Sequence, residues 1–278
     1  MKGLAIEITE RLDEELRQAA RKGSAQSLRE LLRRGAGVAS TDDDGWTTLM
    51  LAAASESAEC VKMLAPLVDP CRKTRAKATP LMIAAGSGWT EGVELLLAAI
   101  ESWPDYKRRK STVLRAELGR RDERGRTSLI LAAQSGQAKC VRLLLPMSPV
   151  DAADMDGRTA LMRAATGREA GSVECVKALL PASDAAKLDQ SGRTALCLAA
   201  MEGRPEIVEL LAFSADPLLA DKEGKTALDM ALARGGEDGE RICQTLRRAM
   251  AEKERGELGE AVGEAGGAAS SAVRARSL

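Results

Sequence analysis

Apolar residues along this chain come in short blocks that return at a fixed interval. One block reads Thr47-Thr48-Leu49-Met50-Leu51-Ala52-Ala53 and leads on to Val61 and Leu64. Another reads Thr194-Ala195-Leu196-Cys197-Leu198-Ala199-Ala200 and leads on to Val208 and Leu211. A Val followed three positions later by a Leu lies on one helical face, so each block predicts two short helices. The marker leucine tests the period. Leu16 to Leu49 is 33 residues, Leu49 to Leu81 is 32, Leu129 to Leu161 is 32 and Leu196 to Leu228 is 32. Two intervals are longer, 48 from Leu81 to Leu129 and 35 from Leu161 to Leu196, and they mark two insertions.

Polar positions punctuate each block in the same way. Asp opens a turn and Gly follows three residues later, as at Asp42 and Gly45, Asp122 and Gly125, Asp154 and Gly157, Asp189 and Gly192, and Asp221 and Gly224. Asp suits the start of a tight turn and Gly supplies a positive φ. Thr47, Thr79, Thr127, Thr159, Thr194 and Thr226 precede apolar helical runs, where an N-cap is needed. Gly88, Gly136 and Gly203 fall just after first helices, where a left-handed C-cap is expected. The Ala-Ala pairs keep the first helix thin, so neighbouring repeats can approach closely. A degraded copy lies upstream at Leu16, Ala19 and Ala20, and its basic segment Gln18 to Arg34 predicts an outer helix serving as a polar N-terminal cap.

Composition narrows the chemistry. The chain has 278 residues and no histidine, which removes Ser-His-Asp, Cys-His and His-zinc chemistry. Lys plus Arg and Asp plus Glu are 41 each, so no basic excess points to nucleic acid. Only Trp46, Trp89, Trp103, Tyr106 and Phe213 are aromatic, so the core must be built from Ala, Leu, Val and Met. No 18-residue apolar run is present, so no membrane span is expected. Cys60, Cys71, Cys140, Cys175, Cys197 and Cys243 form no CxxC pair and read as small core residues in a reducing cytosol. Gly224-Lys225-Thr226 imitates a P-loop end, but position 219 is Leu where the loop needs Gly. No cofactor or metal is implied, and an enzymatic reading has no residues to stand on.

These blocks resemble the ankyrin repeat, whose signature is a period of about 33 residues with T-P-L-H-x-A. Thr79-Pro80-Leu81-Met82-Ile83-Ala84 is the nearest match. The usual His is replaced by Met50, Met82, Ile130, Met162, Cys197 and Asp229, which predicts the loss of side-chain hydrogen bonds between neighbouring loops. The Leu-Met-x-Ala-Ala and Glu-Cys-Val flavour is similar to that of protozoan ankyrin-repeat proteins. The resemblance implies an all-α ankyrin-repeat solenoid of helix-turn-helix units joined by β-hairpin-like turns, over residues 1–250. Its repeats would run about 8–40, 41–72, 73–120 with an insertion at 101–120, 121–152, 153–187, 188–219 and 220–250. Residues 251–278 are Gly-, Ala-, Glu- and Ser-rich and predict a disordered tail.

The resemblance further implies a non-enzymatic protein-binding scaffold or adaptor, a cytoplasmic monomer that uses its concave face of turn tips and first helices. The alternatives are a regulatory arm of a larger kinase-type signalling protein, or a cytoskeletal attachment protein, with a nuclear or cytoskeletal location open to it. Met1 and the tail favour a complete chain. At the tips, Arg126, Arg158, Arg193 and Lys225 recur one repeat apart and predict a cationic ladder, beside Asp43, Asp44 and Trp46 as further candidates. Trp46 is the best single anchor. The insertion carries Lys107, Arg108, Arg109, Lys110 and Ser111, either a patch for an acidic partner or phosphate, or a solvated loop extending a helix.

Overall fold

The computed structural model describes the backbone of residues 2–104 and 110–275 and the side chains of residues 7–104 and 112–255. It divides into two compact units, Met1–Gln190 and Ser191–Leu278. Helices supply all the regular structure among the described residues, apart from one antiparallel bridge between Thr41 and Thr47.

In the N-terminal unit, helices come in antiparallel pairs: α1 (Lys2–Arg21) with α2 (Ala25–Arg33), α3 (Thr48–Ala54) with α4 (Ala58–Leu64), and α5 (Pro80–Ser87) with α6 (Thr90–Ser102). After α7 (Lys110–Leu118) come α8 (Ser128–Gln134) with α9 (Ala138–Leu144), and α10 (Ala160–Thr166) with α11 (Ser172–Leu179). First helices pack on first helices, α1 on α3, α5, α8 and α10 in turn, and second helices follow suit from α2 to α11. The core is the expected one, with Leu49, Leu81, Leu129 and Leu161 buried beside Ala52, Ala84, Ala132 and Ala164. In the C-terminal unit, α12 (Ala195–Glu202) pairs with α13 (Pro205–Leu211), and α14 (Ala227–Arg234) with α15 (Gly236–Ala275). There, α12 packs on α14 and α13 on α15.

Each first helix after α1 starts at the threonine that the sequence nominates. Thr79, Thr127, Thr159 and Thr194 accept hydrogen bonds from the backbone N–H three residues on, at 3.2–3.4 Å, as do Thr47 and Thr226. The residue standing for the missing His takes part as well. Asp229 Oδ2 accepts from Thr226 N at 2.8 Å and from its hydroxyl at 2.7 Å, closing a capping box. Met50 Sδ accepts from Thr47 N at 3.4 Å. Cys197 Sγ lies 3.8 Å from Leu219 O, so one thiol restores the loop-to-loop tie whose loss the sequence predicts.

Three segments depart from expectation. At the N-terminus, α1 is a 20-residue helix, and Gln18–Arg21 belong to it rather than to an outer helix. Gly23, at φ 66°, turns the chain into α2, which Ser24 caps. The 101–120 insertion is not a solvated loop throughout. Helix α7 docks on α6 through Leu114 and Leu118, both buried, and each such leucine contributes about 1.5–3 kcal/mol of apolar burial. At the C-terminus, α15 runs on as helix to Ala275, where composition predicts disorder from 251. No proline interrupts 251–275, and Ala, Glu, Lys and Arg are strong helix formers.

The docking of α7 buries a charge. Glu117 is 1% exposed and faces the Cys71 thiol and the Thr79 hydroxyl. Arg120 Nε stands 2.8 Å from its carboxylate, yet neither oxygen has a well-aligned hydrogen bond among the described residues. Burial raises the Glu117 carboxyl above the ordinary range, and Arg120 only partly opposes it. Burial first, and then the Glu117 charge, push the Cys71 thiol up to about 12. All six cysteines are buried, unpaired thiols. Burial also pushes Cys175 up to about 11, so the Cys71 and Cys175 thiols are unreactive at neutral pH.

Two measurements check this account. An acid whose folded pKa lies above its unfolded value stabilises fully below the unfolded pKa, and that stability is lost as pH rises through the folded one. Wild type should therefore lose stability from the ordinary Glu value of 4.5 upward. Glu117→Gln should flatten this slope and exceed wild type at pH above about 7, read from urea midpoints across pH; parallel slopes would refute the buried charge. Gly157 and Gly35 both have positive φ, 76° and 87°, but a Cβ at Gly157 would stand 2.8 Å from Gln190 N whereas one at Gly35 meets nothing. Gly157→Ala should thus cost about 1–2 kcal/mol more than Gly35→Ala in denaturant melts.

Candidate binding surface

Four of the turn tips are each built by one carboxylate. Asp42 Oδ1 accepts from Asp44 N at 3.1 Å and Trp46 N at 2.8 Å. Asp122 does the same for Arg124 N and Arg126 N, Asp154 for Asp156 N and Arg158 N, and Asp221 for Glu223 N and Lys225 N. The glycine between them sits at φ 76–80° where it occurs in the N-terminal unit. The second tip is a variant, with Thr74 Oγ1 accepting from Ala78 N at 3.1 Å and Lys77 at φ 60° in the glycine's place.

Successive tips of the N-terminal unit are tied by backbone hydrogen bonds. Arg75 N donates to Asp44 O at 2.8 Å and Glu123 N to Ala76 O at 2.9 Å. Met155 N donates to Arg124 O and Gln190 N to Asp156 O, both at 2.9 Å. Gly125 and Gly157 make this close approach possible, because a Cβ at Gly125 would stand 2.9 Å from Met155 N.

The predicted cations do not share one role. Arg126 lies 2.8 Å from Asp122 of its own turn and reaches Gln134. Arg158 Nε lies 3.6 Å from Asp189 Oδ2, a carboxylate that is 1% exposed. Both guanidinium groups are largely covered and serve the turns. In the C-terminal unit, Arg193 Nη1 lies 3.7 Å from Met201 Sδ, and Lys225 pairs with Glu223 at 2.9 Å, whose carboxylate holds the ammonium pKa up. Asp43 and Asp44 are exposed, and Trp46 is half-buried with its N–H held by Asp42. Trp89 lies over Gly92 of its own helix, where a Cβ would stand 1.8 Å from the ring. Lys107, Arg108 and Arg109 lie outside the described residues, and Lys110 and Ser111 open α7 with their side chains outside them too.

Sequence reasoning missed Arg163. This residue, on α10, donates from Nε to Asp154 Oδ2 and from Nη2 to Asp156 Oδ2, both at 2.6 Å. It was legible as the one charged residue at a motif position that otherwise holds Leu51, Ile83, Leu131, Leu198 and Met230. The exposed tip arginines are instead Arg75 and Arg124, which make no ion pair among the described residues. Half-exposed Ile83 and Leu131 lie on the first helices alongside them. The surface therefore offers clamped main chain, a few free arginines and apolar spots. No group of three or more His, Cys, Asp or Glu residues with metal-site geometry occurs among the described residues. No described helix is long and apolar enough to cross a membrane.

The model of the ankyrin-repeat family, three-copy form, matches residues 16–109, 109–187 and 168–254, so this chain belongs to the ankyrin-repeat family. Among solved structures it is similar to the crystal structure of the ankyrin repeat domain of Bcl-3, described as a unique member of the IkappaB protein family. The TM-score is 0.66 at 24% identity, covering 84% of this chain and 97% of that one. At that identity the likeness shows the fold. Ankyrin repeats generally mediate protein–protein interaction and are typically non-enzymatic modules.

Arg163 supplies a test of the tip architecture. Arg163→Met should leave Asp154 buried without its guanidinium and destabilise the unit by about 3 kcal/mol, the scale for breaking a buried pair on one side. Arg75→Met, at an exposed and unpaired site, should change stability by less than about 0.5 kcal/mol. Thermal or denaturant melts of the two variants decide it.

Proposed function

We propose that the protein is a non-enzymatic scaffold or adaptor whose partner binds along the tips and first helices of the Met1–Gln190 unit. One observation carries the reading. Four consecutive tip-to-tip backbone hydrogen bonds of 2.8–2.9 Å hold the main chain of this surface in one arrangement. A partner meets a prepared surface and loses little to ordering it, which is where affinity is gained without large area. Trp46 supplies an amphipathic anchor, and Arg75 and Arg124 supply guanidinium groups not already spent on the turns. The six buried thiols suit a reducing compartment, and on that ground we place the scaffold in the cytoplasm.

The test is quantitative affinity capture with the full chain as bait. Trp46→Ala and the double variant Arg75→Glu/Arg124→Glu are expected to lose the same partners at least about fivefold, equivalent to about 1 kcal/mol. Their melting curves should match wild type. Equal recovery by all three baits would reject the surface. Arg126 and Arg158 are unsuitable probes, because reversing them places a second carboxylate against Asp122 or Asp189 and damages the turns.

A further inference from the structure

Helix α7 forms one wall of a cleft. The cleft lies between it and the Leu145–Met147 turn that follows α9, and holds about 610 Å³. Arg115 of α7 and Arg121 just beyond it line one side, and Pro146, Met147 and Pro149 line the other. No acidic residue lines it. Neither Arg115 nor Arg121 has an ion-pair partner among the described residues; Arg121 Nη1 donates to Ala153 O, and Arg115 is exposed. Asp151, next to the lining Ala152, is exposed and accepts from Asp184 N at 3.1 Å. Met147 is 38% exposed, an apolar side chain left open beside two unneutralised guanidinium groups.

The surrounding charge has the same sign. From Asp105 to Arg126 there are nine basic and four acidic residues in a chain of net charge zero. Two of those acids are already consumed, Glu117 by Arg120 and Asp122 by Arg126, both beneath the surface. Of the described cations in this stretch, Arg115, Arg121 and Arg124 are exposed and make no ion pair among the described residues.

We propose that this cleft binds an acidic peptide segment of a partner protein, one with an aliphatic residue flanked by Asp or Glu. The guanidinium groups take carboxylates in bidentate fashion, and the flexible Met147 with the two prolines takes the aliphatic side chain. The nine residues of α7 rise about 13 Å, which matches about four residues of extended peptide. A nucleic acid fits less well, since the cleft holds no aromatic ring on which a base could stack. The site uses neither the tips nor the first helices, so it stands or falls apart from the surface proposed above.

The probe is a set of fluorescent octapeptides, each with acidic residues around one central Leu, Ile, Met or Phe, titrated against the full chain by anisotropy. At least one should bind saturably with Kd below about 100 μM and weaken steeply as salt rises. Arg115→Glu/Arg121→Glu, both at exposed positions, should weaken it at least about tenfold while the melting curve stays unchanged. Asn/Gln counterparts of the peptides should not bind. The proposal is overturned if no peptide binds below about 1 mM, or if the double variant binds as wild type does. It is equally overturned if binding depends on Lys107–Lys110 alone, or if an oligouridine ten-mer binds more tightly with the same arginine dependence.

Discussion

The constraint on which this structure rests is a main-chain one. Each turn has to present its backbone to the next turn at hydrogen-bonding distance, and at Gly125 and Gly157 a side chain would crowd that approach. At Gly157 a Cβ would stand 2.8 Å from Gln190 N, well inside van der Waals contact. Where an aspartate opens the turn it then fixes the tip by accepting two backbone N–H groups, as Asp154 does for Asp156 and Arg158. With the tips fixed, the threonine caps and the Ala-Ala stripe of the first helices fall into register, and short seven-residue helices persist that would not form alone in water.

The division of labour among charges follows from that constraint. Arginines placed where a turn needs closing are drawn to the turn's own carboxylates, so Arg126, Arg158 and Arg163 rigidify rather than recognise. Arginines with no such carboxylate duty stay exposed, Arg75 and Arg124 on the tips and Arg115 and Arg121 beside α7, and these are the ones proposed above for recognition. Residue type cannot separate the two kinds, because both are arginines at or beside the turns. Only the distance to a buried aspartate does.

Much of the fold was legible in the sequence because repetition gave each signal several independent readings. The six threonine caps and the left-handed glycines were set by local chemistry, and the core leucines by a period of 32 or 33. What was not legible lay outside the repeat. Leu114 and Leu118 carry a helical spacing too short to distinguish a docked helix from a charged loop, and Glu117 between them reads as solvent-facing. Its burial depends on Cys71 and Arg120, and Cys71 lies far off in sequence. In the second tip, Thr74 and Lys77 replace Asp and Gly, so the motif is hidden although the turn forms. The site was legible in its location and less so in its members. Trp46 and the tips were visible, whereas the sharing of Arg163 between two aspartates required coordinates.

An array of near-equal modules has a weakness as a recognition surface. A ligand matched to one module is almost matched to the next, and it can slip by one step at small cost. Helix α7 removes that degeneracy, because it decorates a single module and leaves its neighbours bare. It stands as an origin mark on a ruler of otherwise similar divisions, and a partner lying along the N-terminal unit as proposed above would meet one defined phase and one direction.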